Sequence, residues 1–220
     1  MQTGFKAVLI DLDGTFADTA PDLGAALNRL RGLHNLPPLP LSMIRSEASH
    51  GSAGLLKIGF NITPESPEFA SLRAAFLDYY AQNICDHTLL FPGMAQLIGA
   101  LEKRNLPWGI VTNKPHRFTL PLMQTLGYAN RAACIVSGDT CARAKPHPDP
   151  LLHACELLTC SPHEALYLGD DIRDMDASRA AHVPFLIARY GYLTVNEDFS
   201  SWQILGSINT PLDVLQYLTT

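Results

Sequence analysis

Two carboxylates two residues apart, followed at once by glycine and threonine, stand at the end of an apolar run: Ala7-Val8-Leu9-Ile10 leads into Asp11-Leu12-Asp13-Gly14-Thr15. A short apolar run of this kind predicts a buried strand, and the carboxyl end of a parallel strand is where such sheets bind ligands. Carboxylates this close repel, so in a dry site a cation must neutralise them or one must keep its proton. Both devices suit phosphoryl transfer. A hard cation such as Mg²⁺ takes carboxylate, phosphate and water oxygens, so one oxygen of Asp11 can hold the metal while the other attacks phosphorus. Asp13 can then serve as acid and base. Gly14 lets the backbone turn sharply, and Thr15 brings a hydroxyl and an amide to the same place.

A second acidic cluster follows another apolar run: Ala165-Leu166-Tyr167-Leu168 precedes Gly169-Asp170-Asp171-Ile172-Arg173-Asp174-Met175-Asp176. Asp170, with Asp171 as a further candidate, is expected to complete the metal site. Asp174 and Asp176 are expected to begin the next helix, whose N-terminal dipole favours negative charge. Thr112-Asn113-Lys114 after Trp108–Val111, and Lys145-Pro146 after Ala133–Val136 and a polar loop, add cationic and hydrogen-bonding groups. Phosphoryl transfer needs such groups on the nonbridging oxygens. Singly, each string also fits a plainer role: an Asp-Gly turn, an acidic helix start or a solvated lysine. As a set, each strand end contributes one catalytic part.

The elements that must hold these residues are legible as alternation. Apolar runs at Ala7–Ile10, Trp108–Val111, Ala133–Val136, Ala165–Leu168 and Pro184–Ala188 are separated by helical patterns, which argues a parallel sheet with crossover helices. Phe118, Leu122 and Leu126, stopped by Gly127, predict one helix, and Leu151, Cys155 and Leu158 another. Between the first two strands lies far more chain than one crossover needs. From about Ala20 to Leu90 that excess is helical, with Leu23, Leu27 and Leu30 on one face and Leu72, Phe76, Tyr79 and Asn83 on another. The predicted organisation is an α/β core from 1–17 and 91–220 with a helical cap at 18–90. Asp18-Thr19-Ala20-Pro21 and Leu90-Phe91-Pro92-Gly93 mark the joints, two connections on which a cap could rock, and Pro37-Pro38-Leu39-Pro40 breaks the cap internally. Asn209-Thr210-Pro211 with Leu212, Leu215 and Leu218 predicts a short last helix capped by Thr210.

A net charge of −5 leaves no broad basic surface for nucleic acid. No apolar run approaches the roughly 20 residues that span a bilayer, and the chain starts without a signal-like segment, so no membrane partner and a cytoplasmic location are expected. Cys85, Cys134, Cys141, Cys155 and Cys160 are scattered without a C-x-x-C pair, as reduced and mostly buried thiols are. A monomer is expected, with a homodimer as the alternative.

In order and spacing, Asp11-Leu12-Asp13-Gly14-Thr15, Thr112-Asn113, Lys145-Pro146 and Gly169-Asp170-Asp171 with Asp174 resemble the four motifs of the haloacid dehalogenase superfamily, over essentially the whole chain. The resemblance implies a Rossmann-like parallel sheet core with an inserted all-helical cap, and hydrolysis of a small phosphate ester. It implies Asp11 as the nucleophile that forms an aspartyl-phosphate and Asp13 as the acid for the leaving alcohol and then the base for water. Mg²⁺ is implied between Asp11, the Asp13 carbonyl and Asp170, with Thr112, Asn113 and Lys145 on the phosphoryl group and Asp171 and Asp174 in support, Asp174 orienting Lys145. Family members that displace halide lack an aspartate at the position of Asp13, so phosphate esters are the implied substrates.

Asp18-Thr19-Ala20-Pro21-Asp22-Leu23, Pro37-Pro38-Leu39, Phe91-Pro92-Gly93 and Thr112-Asn113-Lys114-Pro115 look like the phosphoglycolate phosphatase group, which makes 2-phosphoglycolate the first expected substrate. Its relatives that act on N-acetylmuramic acid 6-phosphate share most of these strings, and Thr63-Pro64-Glu65-Ser66-Pro67 and Arg189-Tyr190-Gly191-Tyr192-Leu193 lean toward them. A phosphomutase shares all four motifs and is the remaining alternative. Specificity is expected in the cap, where Arg45, Ser49, His50, Ser52 and Lys57 are the polar residues best placed to meet a substrate.

Overall fold

A computed structural model of the chain describes residues 4–193 and 204–218. Two compact units emerge, Met1–Ala17 with Leu90–Thr220, and Asp18–Leu89. The first is α/β. Its strands are β1 (Ala7–Ile10), β4 (Trp108–Val111), β5 (Cys134–Val136), β6 (Ala165–Gly169), β7 (Phe185–Ala188) and β8 (Gly206–Ile208), while β2 (Ala17–Asp18) and β3 (Leu89–Leu90) are short strands that pair with one another. The six form one parallel sheet in the order β5-β4-β1-β6-β7-β8.

Every residue of β1, β4, β6 and β7 is buried, which is why these strands read as continuous apolar runs rather than alternating ones. The sequence pattern predicts five strands of the sheet and misses β8. That strand has one buried apolar residue in three and, among the described residues, pairs with β7 alone, so it leaves no hydrophobic signature. Helices α5 (Met94–Lys103), α6 (His116–Thr125), α7 (Asp149–Leu157) and α8 (Ile172–Ala181) supply the crossovers. The α6 and α7 stripes fall where the spacing predicts: Phe118 and Leu122 are buried on one, Leu151 and Cys155 on the other. Gly127 takes a φ of +82° just past α6. The final helix, Pro211–Gln216, is 3₁₀ rather than α, with Thr210 and Asp213 forming a capping box.

Register decides where the chemistry sits. Ile10 lies opposite Ile110 on one side and Leu168 on the other, so Asp11, Thr112 and Asp170 all emerge at the same edge of the sheet. The Asp11 amide donates to the Leu168 carbonyl at 2.9 Å, and that of Thr112 donates to Val136 at 2.9 Å, so the strand ladders continue into the loops that carry these groups.

The second unit is helical: α1 (Ala20–Leu33), α2 (Leu41–Ala48), α3 (Gly51–Phe60) and α4 (Phe69–Gln82). Its core includes Leu23, Leu27 and Leu30 with Ile44, Leu55, Leu56, Phe76 and Tyr80. The stripe on α4 is rotated from the expected one. Phe76 and Tyr80 are buried, Tyr79 is half-buried with the Arg29 guanidinium 4.3 Å above its ring, and Asn83 is exposed past the helix end. Buried Asp22 accepts hydrogen bonds from the amides of His87 and Thr88 and, at 2.6 Å, from the Thr88 hydroxyl, tying the start of α1 to the segment that leads into β3. Arg31 donates to the carbonyls of Pro37 and Gly59 and so satisfies the proline-rich break after α1. Among the described residues no helix is long and apolar enough to cross a membrane.

Candidate active site

Lys145 is the hub. Its ammonium lies 2.7 Å from Asp11 Oδ1, 2.6 Å from Asp174 Oδ1, 3.0 Å from the Val111 carbonyl and 2.9 Å from the Tyr167 hydroxyl, and its side chain is buried. Burial alone would drive off its proton, but Asp11 and Asp174 outweigh that effect and raise its pKa above the usual lysine range. The loop that carries it is held by Asn113, whose side-chain amide donates to the Lys145 carbonyl at 2.8 Å and accepts from the Lys145 amide at 2.9 Å. Asn113 is expected from sequence to meet substrate, and both functional atoms of its side chain bond the backbone of Lys145.

Asp174 does three things at once. It bonds Lys145, accepts from the Tyr167 hydroxyl at 2.7 Å, and accepts from the Asp171 amide in a capping box at the start of α8. The other half of that box is Asp171, which accepts from the Arg173 amide and pairs with the Arg173 guanidinium at 2.7 Å. Its carboxylate is thereby engaged as a helix cap. Asp13 pairs with the ammonium of Lys114 at 2.9 Å, and both side chains are largely buried. Thr112 is buried with its hydroxyl oxygen accepting from the Lys114 amide at 3.1 Å, which leaves the hydroxyl proton to donate elsewhere.

Asp170 differs from the other acids. Its partners among the described residues are two neutral donors, the Thr15 hydroxyl on Oδ1 at 2.9 Å and the Tyr192 amide on Oδ2 at 2.8 Å. It is 2% exposed, and burial together with Asp11 and Asp174 pushes its pKa well above the carboxylate range. Burial likewise pushes Asp11 up to about 7, against the pull of Lys145 and with Asp174 and Asp13 adding to the rise.

A divalent cation fits this donor set. When all are ionised, Asp11, Asp13, Asp170 and Asp174 carry four negative charges against the two ammoniums of Lys114 and Lys145, so full ionisation leaves two for a cation to offset. Carboxylate oxygens of Asp11, Asp170 and Asp174 lie within 4.8 Å of one another, and hard oxygen donors are what Mg²⁺ takes. Asp174 is already satisfied by Lys145 and Tyr167, so Asp11 and Asp170 are the carboxylates with capacity to spare.

The raised carboxyls give a pH dependence whose sign is fixed. A carboxyl that holds its proton more tightly when folded stabilises fully below its unfolded pKa near 4, and that stability is lost as pH rises toward the folded value. For Asp11 the window runs from about 4 to about 7, and Asp170 acts in the same direction. The metal-free protein is therefore expected to melt on the order of 5 °C higher at pH 5 than at pH 7.5, with Mg²⁺ narrowing the gap. Asp11→Asn, which fixes that group neutral, should flatten the profile. Scanning calorimetry in chelator and in excess Mg²⁺ reads both effects, and a metal-free melting temperature that rises with pH would overturn the account.

One contributor escapes sequence reasoning: Tyr167 reads as a core residue of a buried strand, yet its hydroxyl reaches Lys145 and Asp174. Lys114 is expected from sequence as a cationic group, and the fold adds its partner, Asp13. The helical unit holds the residues expected to choose substrate. Arg45 pairs with Asp18 at 2.7 Å, Ser49 follows α2, exposed His50 lies 3.3 Å from Glu47, Ser52 accepts from Arg73 at 3.0 Å, and Lys57 is exposed.

The profile of the haloacid dehalogenase-like hydrolases matches residues 8–188. Among curated proteins, the N-acetylmuramic acid 6-phosphate phosphatase of Pseudomonas aeruginosa is 39% identical over 97% of this chain and 94% of its own length. The phosphoglycolate phosphatase of Xylella fastidiosa is 37% identical over 94% of this chain and 90% of its own. Among solved structures, a haloacid dehalogenase-like family hydrolase of Streptococcus pneumoniae superposes with a TM-score of 0.82 at 22% identity, covering 98% of this chain and 99% of that one, a likeness of fold.

Proposed function

Since the chain belongs to the haloacid dehalogenase-like hydrolases, we propose that it is a Mg²⁺-dependent phosphatase that passes the phosphoryl group of a small metabolite to Asp11 and then to water. The observation that carries this reading is the pairing of Asp11 with Lys145 beside the pairing of Asp13 with Lys114.

Asp11 attacks phosphorus through a carboxylate oxygen, and Lys145 beside it offsets charge on the nonbridging oxygens, as does the Thr112 hydroxyl. Asp13 gives a proton to the departing alcohol oxygen. The P–O bond to the alcohol breaks as the bond to Asp11 forms. Asp13, now a carboxylate, takes a proton from water, which attacks the aspartyl-phosphate and releases inorganic phosphate and free Asp11. Asp11, Asp170 and the Asp13 carbonyl would hold Mg²⁺, which when bound supplies positive charge to the phosphoryl oxygens.

Of the two substrates, N-acetylmuramic acid 6-phosphate has the support of the higher identity and coverage, 39% over 97% of the chain. Phosphoglycolate is the second reading, supported by relatives at 37% and 38% identity. Phosphate release with Mg²⁺ should be measured on both esters side by side, with β-glucose 1-phosphate as a mutase control. The expected result is release that stops on chelation and a kcat/KM for N-acetylmuramic acid 6-phosphate at least about tenfold above that for phosphoglycolate. The reverse ratio exchanges the substrates. Isomerised sugar phosphate without phosphate release overturns the phosphatase reading.

A further inference from the structure

We propose that the segment Tyr190-Gly191-Tyr192 is a positioning clamp for the metal-holding carboxylate of Asp170. This rests on the phosphatase reading and extends it to residues that follow β7, beyond all four motifs.

Three chain segments meet around Asp170. The Tyr192 amide donates to Oδ2 at 2.8 Å, the Thr15 hydroxyl donates to Oδ1 at 2.9 Å, and the Tyr190 hydroxyl donates to the Thr15 carbonyl at 3.2 Å. The bonds close a ring that runs from the loop after β1, through the loop after β6, to the segment after β7. Each carboxylate oxygen thus receives one neutral donor, which fixes the plane of the group and leaves acceptor capacity on both oxygens for a cation.

The ring requires a glycine at its closest approach. A Cβ on Gly191 would lie 2.4 Å from the Asp170 Cβ and 2.5 Å from the Gly14 carbonyl oxygen, so no other residue fits without moving one of them. Gly14 also approaches the carboxylate closely, with a φ of +86°, and a Cβ there would lie 2.2 Å from Asp170 Oδ2. The rings of Tyr190 and Tyr192 pack 5.1 Å and 6.3 Å from that of Phe91, which anchors the segment on apolar contacts.

The need for a clamp is electrostatic. Among the described residues Asp170 is buried beside Asp11 and Asp174 with no ammonium of its own, and repulsion would turn an untethered carboxylate away from them. Two neutral donors hold it in place without cancelling the charge that a cation needs. A lysine in their position would fix the group equally well and compete with the metal.

The test is Mg²⁺ affinity, read from the metal-induced rise in melting temperature and by titration calorimetry, in wild type, Gly191→Ala and Tyr190→Phe. Gly191→Ala is expected to weaken Mg²⁺ binding by about tenfold or more and Tyr190→Phe by about threefold. At saturating Mg²⁺ the KM for the ester should return to the wild-type value. A merely structural role lowers the metal-free melting temperature and leaves Mg²⁺ affinity unchanged in both variants, which overturns the clamp. Should Gly191→Ala fail to fold, Tyr190→Phe decides alone, because it deletes one hydroxyl with its hydrogen bond and introduces no new atom. A wild-type protein that shows no Mg²⁺ binding overturns the phosphatase reading, and the clamp with it; binding by wild type with unchanged variants sinks only the clamp.

Discussion

Asp11→Asn is expected to lower kcat for phosphate release by at least about 10⁴-fold, the scale seen when a nucleophile is removed from a site whose other parts remain. The carboxamide cannot form the acyl phosphate through which the proposed reaction is divided, whereas Lys145, Thr112 and Asp170 stay where they are. The folded state should not suffer. Asp11 is 7% exposed and its burial already favours the neutral form, so an amide of the same shape is tolerated and should raise the metal-free melting temperature at neutral pH. Loss of turnover with gained stability separates a chemical role from a structural one. A variant within about tenfold of wild-type kcat would remove Asp11 from the nucleophile role.

Lys145→Met should fail in the opposite manner. The substitution leaves Asp11 and Asp174 buried without their shared cation and deprives the Val111 carbonyl of a donor. Breaking a buried ion pair from one side costs about 3–5 kcal/mol, enough to lower the melting temperature by on the order of 10 °C in a chain of this size. The kcat should also drop by about 10³-fold, because charge on the phosphoryl oxygens loses its nearest ammonium. Excess Mg²⁺ is expected to restore part of the stability and none of the rate. Lys145→Arg should not rescue either, since a planar guanidinium cannot place a single nitrogen among four acceptors. A stable Lys145→Met protein with wild-type kcat would contradict both halves of this expectation.

What could be read from the sequence and what could not divide along physical lines. Strands β1, β4, β6 and β7 are buried on both faces, so their apolar runs announce them; β8 at the edge has little to bury and stays silent. The acids at the ends of β1 and β6 stand out because carboxylates rarely crowd an apolar strand without cause. Their partners are harder to find. Lys114 meets Asp13 across 101 positions and Tyr192 meets Asp170 across 22, and no local pattern encodes a contact made by folding. The structural role of Asn113 is hidden for another reason: a side-chain amide next to Thr112 reads as a substrate contact, and the geometry adds that it splints the Lys145 loop. Arg45 illustrates the same limit, since its spacing along α2 says nothing of Asp18.

The pairing of β2 with β3 has a consequence for how such a chain can change over time. Adjacent strands stand about 4.8 Å apart, so the chain leaves and returns at nearly one point, and everything between is, for the sheet, an insertion between two paired strands. Closure entropy grows only slowly with the length of an insert, so the sheet is nearly indifferent to what the insert contains. The registers that align Asp11, Thr112 and Asp170 are set wholly by strands outside it. Chemistry and accessory helices are therefore written in separable stretches of sequence, and recombination could exchange one without rewriting the other.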